Sequence, residues 1–350
     1  MKYFEIKEEI LELMKERGLK AGMRLPPFRA LAKDLNTCVP TIQRAVGQLV
    51  KEGVLYSKVG SGTYISKAGN KGKQGQMVGI LLPYSMGVMA DFVSENLDAI
   101  RSTLMQNEYI PITVSPQPGL SGHERGKAEI ELIQQLLKYG VSGIIIDALA
   151  PARDEFWIFL EKLDIPVVLF NNMGANHSRF DSVTSDNYYG GMLAGERLIE
   201  AGRKKCCFFT SNDGSTVEKE RYDGFCDAFK NAELPLPSRL DSTQLGLIFA
   251  ENFDGIFSMS DMMASGIYQV ISEHNLKIPQ DVSVIGFDSS LLCSRLEPNL
   301  DSVEQQFRCM GRRAAELMIK RLSEPELRER VSMRLDVALV KRKSVMSSES

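Results

Sequence analysis

"NTCVPTIQRAVGQL", residues 36–49, sets Ile42, Ala45, Val46 and Leu49 at the i, i+3, i+4, i+7 spacing of one helix face. That face must be buried, which turns Thr41, Gln43, Arg44 and Gln48 outward. A short helix offering a hydroxyl, amides and a guanidinium fits the donor and acceptor edges of bases in a major groove. The helix opens unusually, with Cys38, Val39 and Pro40. Pro40 forgoes only an amide hydrogen that a first turn leaves unused, whereas Cys38 is a weaker cap than serine.

Before this helix, Ile6, Ile10, Leu11, Leu13 and Met14 recur at helical spacing, and Gly18 is placed to stop that helix. "GLKAGMRLPPF" is rich in breakers, and "RALAKDL" makes a short second helix with Leu31, Ala32 and Leu35 on one face. After the opening stretch, "GVLYSKVGSGTYIS" reads as two strands joined by a turn around Gly60–Gly62. Three helices followed by a hairpin make a winged helix-turn-helix, with the third helix in the major groove and the wing on the backbone.

These residues resemble the DNA-binding domain of the GntR family of bacterial repressors, over residues 3–66. The family's LPS-x-R loop appears as Leu25-Pro26-Pro27-Phe28-Arg29, its LA helix as Leu31-Ala32, its reading helix as Thr37-Cys38-Val39-Pro40-Thr41-Ile42, and its G-x-GT wing as Gly60-Ser61-Gly62-Thr63. Pro27 departs from the loop serine, and Cys38 and Val39 from a serine and an arginine. The resemblance implies base reading by Arg29, Thr41, Gln43 and Arg44, with Lys58, Gly60, Gly62 and Thr63 holding the DNA backbone.

Charge supports the division. Net charge is −3, yet residues 1–75 hold 14 Lys/Arg against 7 Asp/Glu, and the remainder 28 against 38. A basic head on an acidic body suits one domain that meets phosphates and another that does not. "SKAGNKGKQGQ" carries no apolar residue larger than alanine and reads as a flexible linker over 67–76.

From Met77 strands and helices alternate. "MVGILLPY", "YIPITVS", "VSGIIID" and "IPVVLFN" are apolar runs separated by helical stretches, the pattern of a doubly wound α/β lobe. After "VTSDNYYGG" the alternation restarts with "KCCFFT", "FDGIFSM" and "VSVIGFD". Two such lobes enclose a cleft, and open α/β sheets bind ligands at the carboxyl ends of their strands. The stretch from Ala232 to Asp254 is about ten residues short for a full strand–helix crossover.

The body, roughly residues 77–343, resembles the effector-binding core of the LacI/GalR family and so periplasmic sugar-binding proteins. The motifs are "VTSDNYYGGMLAGERLIEAGRKK", "ERYDGFCDAF", "IFSMSDMMASG", "IPQDVSVIGFD" and "EPNLDSVEQQF". Ser260 replaces the usual asparagine, and Asp301-Ser302 replace paired threonines. The resemblance implies a periplasmic-binding-protein-like domain over 77–345 that also dimerises. Lobe 1 is expected at about 77–184 and 303–325, and lobe 2 at about 187–300 and 332–343. Arg221 and Asp288 are the leading effector contacts, because an arginine and a carboxylate together offer paired donors and acceptors to a polyol. Asp261 and Gln305 are secondary, and Tyr84, Phe170 and Asn171 are expected to reach the cleft from lobe 1.

The combined expectation is a homodimeric transcriptional repressor that binds double-stranded operator DNA under control of a small polar effector, a sugar first. The alternative is a regulator whose body binds a protein partner, with a vestigial cleft. No nucleophile elbow, Walker loop or dinucleotide-binding turn appears, so no enzyme is expected. Six cysteines without a CxxC pair and three separated histidines give no expectation of a metal or cofactor. No apolar run approaches a membrane span and no signal peptide is present, so a cytoplasmic location without membrane partners is expected.

Overall fold

The computed structural model describes residues 2–346 other than 21, 52–53, 59–60, 67–75, 84–90, 121, 148–153, 172–179, 213 and 328. The chain divides into two compact units, Met1–Met77 with Met105–Ile110, and Val78–Leu104 with Pro111–Ser350.

The first unit contains α1 (Lys2–Glu16), α2 (Phe28–Asp34), α3 (Val39–Lys51), β1 (Leu55–Lys58) and β2 (Gly62–Ile65). Ile10 of α1, Leu31 of α2 and Ile42, Ala45, Val46 and Leu49 of α3 are at most 2% exposed and share one core with Leu55 and Ile65. Gly18, at φ +60°, turns the chain out of α1 in a backbone region that L side chains rarely adopt. β1 and β2 pair antiparallel. The segment before α2 lies against β2, with Leu25 N donating to Thr63 O and Ile65 N to Met23 O, both at 2.8 Å.

The second unit holds two six-stranded sheets. The chain lays down β3 (Gln76–Leu81), α4 (Asp91–Gln106), β4 (Tyr109–Val114), α5 (Gly122–Lys138), β5 (Gly143–Asp147), α6 (Asp154–Glu161), β6 (Val167–Phe170) and β7 (Asp181–Ser185). It then crosses into α7 (Asn187–Glu200), β8 (Cys206–Thr210), α8 (Thr216–Asn231), β9 (Ser238–Asp241), α9 (Leu247–Ala250), β10 (Gly255–Ser258), α10 (Asp261–Glu273), β11 (Ser283–Asp288), α11 (Leu292–Arg295) and β12 (Asp301–Glu304). α12 (Phe307–Ser323) and β13 (Ser332–Leu335) return to the first sheet, and β14 (Ala338–Val340) to the second. Strand orders are β13-β7-β6-β5-β3-β4 and β14-β12-β11-β10-β8-β9.

Two boundaries expected from sequence are corrected. β13 runs parallel to β7 in the first sheet, so residues 332–335 belong to lobe 1. Arg321 at the end of α12 grips Asp181 with Nε at 2.6 Å and Nη2 at 2.7 Å, and Val331 N donates to the same carboxylate at 2.8 Å. That clamp delivers the chain to the open edge of β7. β12 pairs with β11, so lobe 2 extends through Glu304 and the return to lobe 1 follows it. The short stretch before β10 holds β9, one 3-10 turn and the single-turn α9 in place of a full crossover helix.

In the second lobe Phe208, Phe225, Phe229, Phe257 and Phe287 are fully buried together. α7 crosses α8 at backbone contact. A Cβ on Gly191 would lie 2.1 Å from Arg221 O, and one on Gly224 1.9 Å from Tyr188 O. No helix among the described residues is long and apolar enough to cross a membrane.

Candidate functional site

On the head, Arg29, Gln43 and Arg44 are exposed, Arg29 in the first turn of α2 and the other two on the outward face of α3. Thr41 is half-buried, its hydroxyl 3.0 Å from the Cys38 sulfur at the start of α3. Those bonds hold the Cys38 thiol below its usual pKa. Pro27 caps α2 through its carbonyl, which accepts from Ala30 N and Leu31 N, without a side-chain bond. Thr63 does not face outward as expected: it is 8% exposed on the inner face of the hairpin, its hydroxyl 3.2 Å from Ser57 Oγ. Gly62 keeps an exposed-side position at φ +124°. Gly60, the Lys58 side chain, Tyr84 and the linker over 67–75 lie outside the described residues.

In the body, the polar residues gather where the strands end. Arg221, in the second turn of α8, is 5% exposed. Its Nε donates to Asn187 Oδ1 at 3.0 Å, its Nη1 to the carbonyl of Met259 just beyond β10, and its guanidinium carbon stands 3.5 Å above the Phe287 ring. The charge is thus held by an amide, a carbonyl and an aromatic face. Asp288 ends β11 at φ +119° and is 7% exposed. Gln305 Nε2 donates to its Oδ1 at 2.7 Å. Burial, with the negative charge of Asp261 added, pushes the Asp288 carboxyl up to about 8 against the opposing pull of Arg221 and Gln305.

Asp261 is corrected. Its Oδ1 accepts from Ser302 Oγ at 2.6 Å, and its Oδ2 from Ser290 N at 2.7 Å and Cys293 Sγ at 3.1 Å. At 1% exposure that carboxylate pins the loop after β11 and is spent on the fold. Its pKa is raised by burial, partly offset by these bonds.

From the first sheet, Asn171 follows β6 at φ +72° and donates through Nδ2 to Asp147 Oδ1 at 3.2 Å. Phe170 is corrected: it is fully buried, because every residue of the central strand β6 is covered on both faces. Asn187 and Asp147 were missed by motif reading. The signals present were the Asp186-Asn187 start of α7, where Asp186 accepts from Tyr189 N, and the lone carboxylate closing the apolar run of β5. Among the described residues no group of three His, Cys, Asp or Glu is placed to hold a metal ion.

Comparison with known proteins adds three family matches. Residues 2–65 match the bacterial regulatory proteins of the gntR family, residues 115–244 the periplasmic binding proteins and sugar binding domain of the LacI family, and residues 196–345 the periplasmic binding protein-like domain. An arabinose metabolism transcriptional repressor of Geobacillus stearothermophilus is 25% identical over 346 residues, 92% of each chain. The HTH-type transcriptional repressor PurR of Pasteurella multocida (strain Pm70) is 28% identical over 231 residues, 61% of this chain and 67% of that one. Among solved structures, a LacI family transcriptional regulator from Enterococcus faecium with bound ribose superposes with a TM-score of 0.67 at 24% identity, covering 79% of this chain and all of that one. A CelR–cellobiose complex reaches 0.68 at 20% identity over 91% of this chain and all of its own. At such identities the structures show the fold.

Proposed function

The chain joins a GntR-type helix-turn-helix domain to a LacI-type periplasmic-binding-protein-like domain, and from that premise we propose that it is a sugar-responsive transcriptional repressor. The head binds operator DNA through Arg29, Gln43 and Arg44. The body takes the effector, and two chains form the homodimer that a two-fold operator requires. The observation that carries this reading is the convergence of Arg221, Asp288, Gln305 and Asn187 at the strand ends of the second sheet. A fixed guanidinium, a carboxyl and two amides offer the alternating donors and acceptors that a polyhydroxyl ligand satisfies. Relatives named as an arabinose metabolism repressor and solved with ribose or cellobiose support a sugar. The relatives are named as transcriptional regulators.

Effector binding changes operator affinity by a coupling of about 1–3 kcal/mol, or roughly 5- to 150-fold. The test is a thermal-unfolding screen of pentoses, hexoses, disaccharides and sugar phosphates against wild type and Arg221→Ala. A ligand at about 100 times its Kd adds roughly 2.7 kcal/mol. The expected result is a hit that vanishes in Arg221→Ala and alters retention of an operator duplex. Stabilisation retained in full by Arg221→Ala would overturn the site assignment.

A further inference from the structure

Arg24 lies in the loop before α2, outside the residues assigned above to DNA. Residues 22–25 run antiparallel to β2, and Arg24 stands opposite Tyr64. Opposed residues of an antiparallel pair put their side chains on one face, and residues two along share it. Arg24, Tyr64 and Gly62 therefore share the outer face of the wing, while Thr63 and Ile65 are buried on the inner one.

The guanidinium of Arg24 extends along that face from the level of Tyr64 towards the turn. A Cβ built on Gly62 would lie 2.6 Å from Arg24 Nε and 3.0 Å from Nη2. The space a side chain would take at position 62 is filled by the arginine. In the backbone register Lys58 pairs with Gly62. Arg24 is exposed, and among the described residues no carboxylate pairs with it. Residues 20–75 carry ten Lys/Arg against two Asp/Glu, so acidic partners are scarce throughout the head. A guanidinium seated without an acid on the groove-side element of a winged helix has the chemistry of an anion contact.

We propose that Arg24 is a phosphate-binding residue of the wing, and that position 62 is glycine so that the Arg24 guanidinium can lie over the turn and meet the DNA backbone. The inference rests on the reading of the head as a DNA-binding domain. A phosphate contact carries no sequence information and adds to the salt dependence of binding.

The experiment uses the full chain with two duplexes, one enriched from a random pool by the wild-type protein and one unselected. Affinity is measured across a salt series for wild type, Arg24→Gln, Arg24→Lys, Gly62→Ala, the Arg24→Gln/Gly62→Ala double variant and Arg29→Ala. Arg24→Gln removes one phosphate contact from each head, two in the homodimer, which lowers the log–log salt slope by about 1.8, so the wild type should lose about 12-fold more affinity than Arg24→Gln when salt rises fourfold. Arg24→Gln is expected to weaken both duplexes by a similar factor, and Arg24→Lys to keep the wild-type slope. Gly62→Ala should weaken binding more in the wild-type background than on Arg24→Gln, because the strain of φ +124° is present in both backgrounds and cancels in the difference between the two effects. Unchanged affinity and slope in Arg24→Gln, with Arg29→Ala still impaired, would sink the proposal and leave DNA binding intact. A loss confined to the enriched duplex, with the slope unchanged, would make Arg24 a base reader and overturn the phosphate assignment. Failure of the wild type to bind any duplex would remove the DNA reading itself, and the proposal with it.

Discussion

Gln305, just beyond β12, donates to Asp288 at the end of β11 across 2.7 Å. The receiving carboxyl is raised to about 8 by burial and by Asp261, and an unfolded aspartate titrates near 4. The folded protein therefore binds an extra proton between those values, and stability falls as pH rises from about 4 to about 8, then levels. Asp288→Asn keeps an oxygen for Gln305 and removes the titration. Its unfolding midpoint should match wild type near pH 4 and exceed it at pH 8. Equal midpoints at pH 8 would show that Asp288 is ionised at no cost to the fold.

The close crossing of α7 and α8 sets where Arg221 stands. A Cβ on Gly224 would meet the Tyr188 carbonyl oxygen at 1.9 Å, and a backbone neighbour cannot swing away as a side chain can. Alanine gains up to about 1 kcal/mol of helix propensity, but overpacking of this kind typically costs about 1–3 kcal/mol and more when backbones must part. Gly224→Ala should lower the unfolding midpoint and blunt the ligand response through displaced Arg221 contacts with Asn187 and Met259. A variant with wild-type midpoint and ligand response would show that the two helices separate freely.

Arg334 of β13 donates to Glu220 of α8 at 2.8 Å, joining the two lobes one residue away from Arg221. The side chains are 44% and 27% exposed, so the pair is worth at most about 1 kcal/mol. A double-mutant cycle of Arg334→Gln and Glu220→Gln should give a coupling within that limit that fades in high salt. Arg334→Gln should reduce ligand-induced stabilisation at least as much as Glu220→Gln, because Arg334 also stands 4.0 Å from Asp186. A larger loss in Glu220→Gln would mean that Glu220 acts apart from Arg334.

The helices of the head were legible because their apolar faces repeat cleanly: Ile42, Ala45, Val46 and Leu49 are all in the core. Most strands of the body were legible as apolar runs, since parallel strands covered on both faces need no alternation. β13 was not, because Ser332–Leu335 is a short edge strand with alternating exposure, placed by Asp181 and Arg321 far away in sequence. Arg221 and Asp288 were singled out by motifs, and the fold places both at the strand ends of the second sheet, nearly buried. Asp261 fitted its motif equally well, yet its partners Ser302, Ser290 and Cys293 come from elements whose closeness only the fold reveals. Thr63 faces inward for a related reason. Strand alternation decides which hairpin residues face out, and one position of register reverses the answer.

Cys38 offers a chemical report on the head. It is exposed, and its bonds with Thr41 hold the thiol below its ordinary pKa. Burial raises Cys206, Cys207 and Cys293, the last two without and with help from a nearby carboxylate respectively. The thiolate is the nucleophile, so a thiol with a lowered pKa reacts at lower pH and buried thiols with raised pKa values stay inert. Iodoacetamide in mildly acidic buffer should label Cys38 well before those three, as read by peptide mass spectrometry. Because Cys38 begins the helix assigned to the major groove, a bound operator duplex should slow its labelling, while an effector that releases the duplex restores the rate. Labelling of Cys38 no faster than the buried three would contradict the lowered pKa. Equal rates with and without tightly bound duplex would move the amino end of α3 away from the DNA.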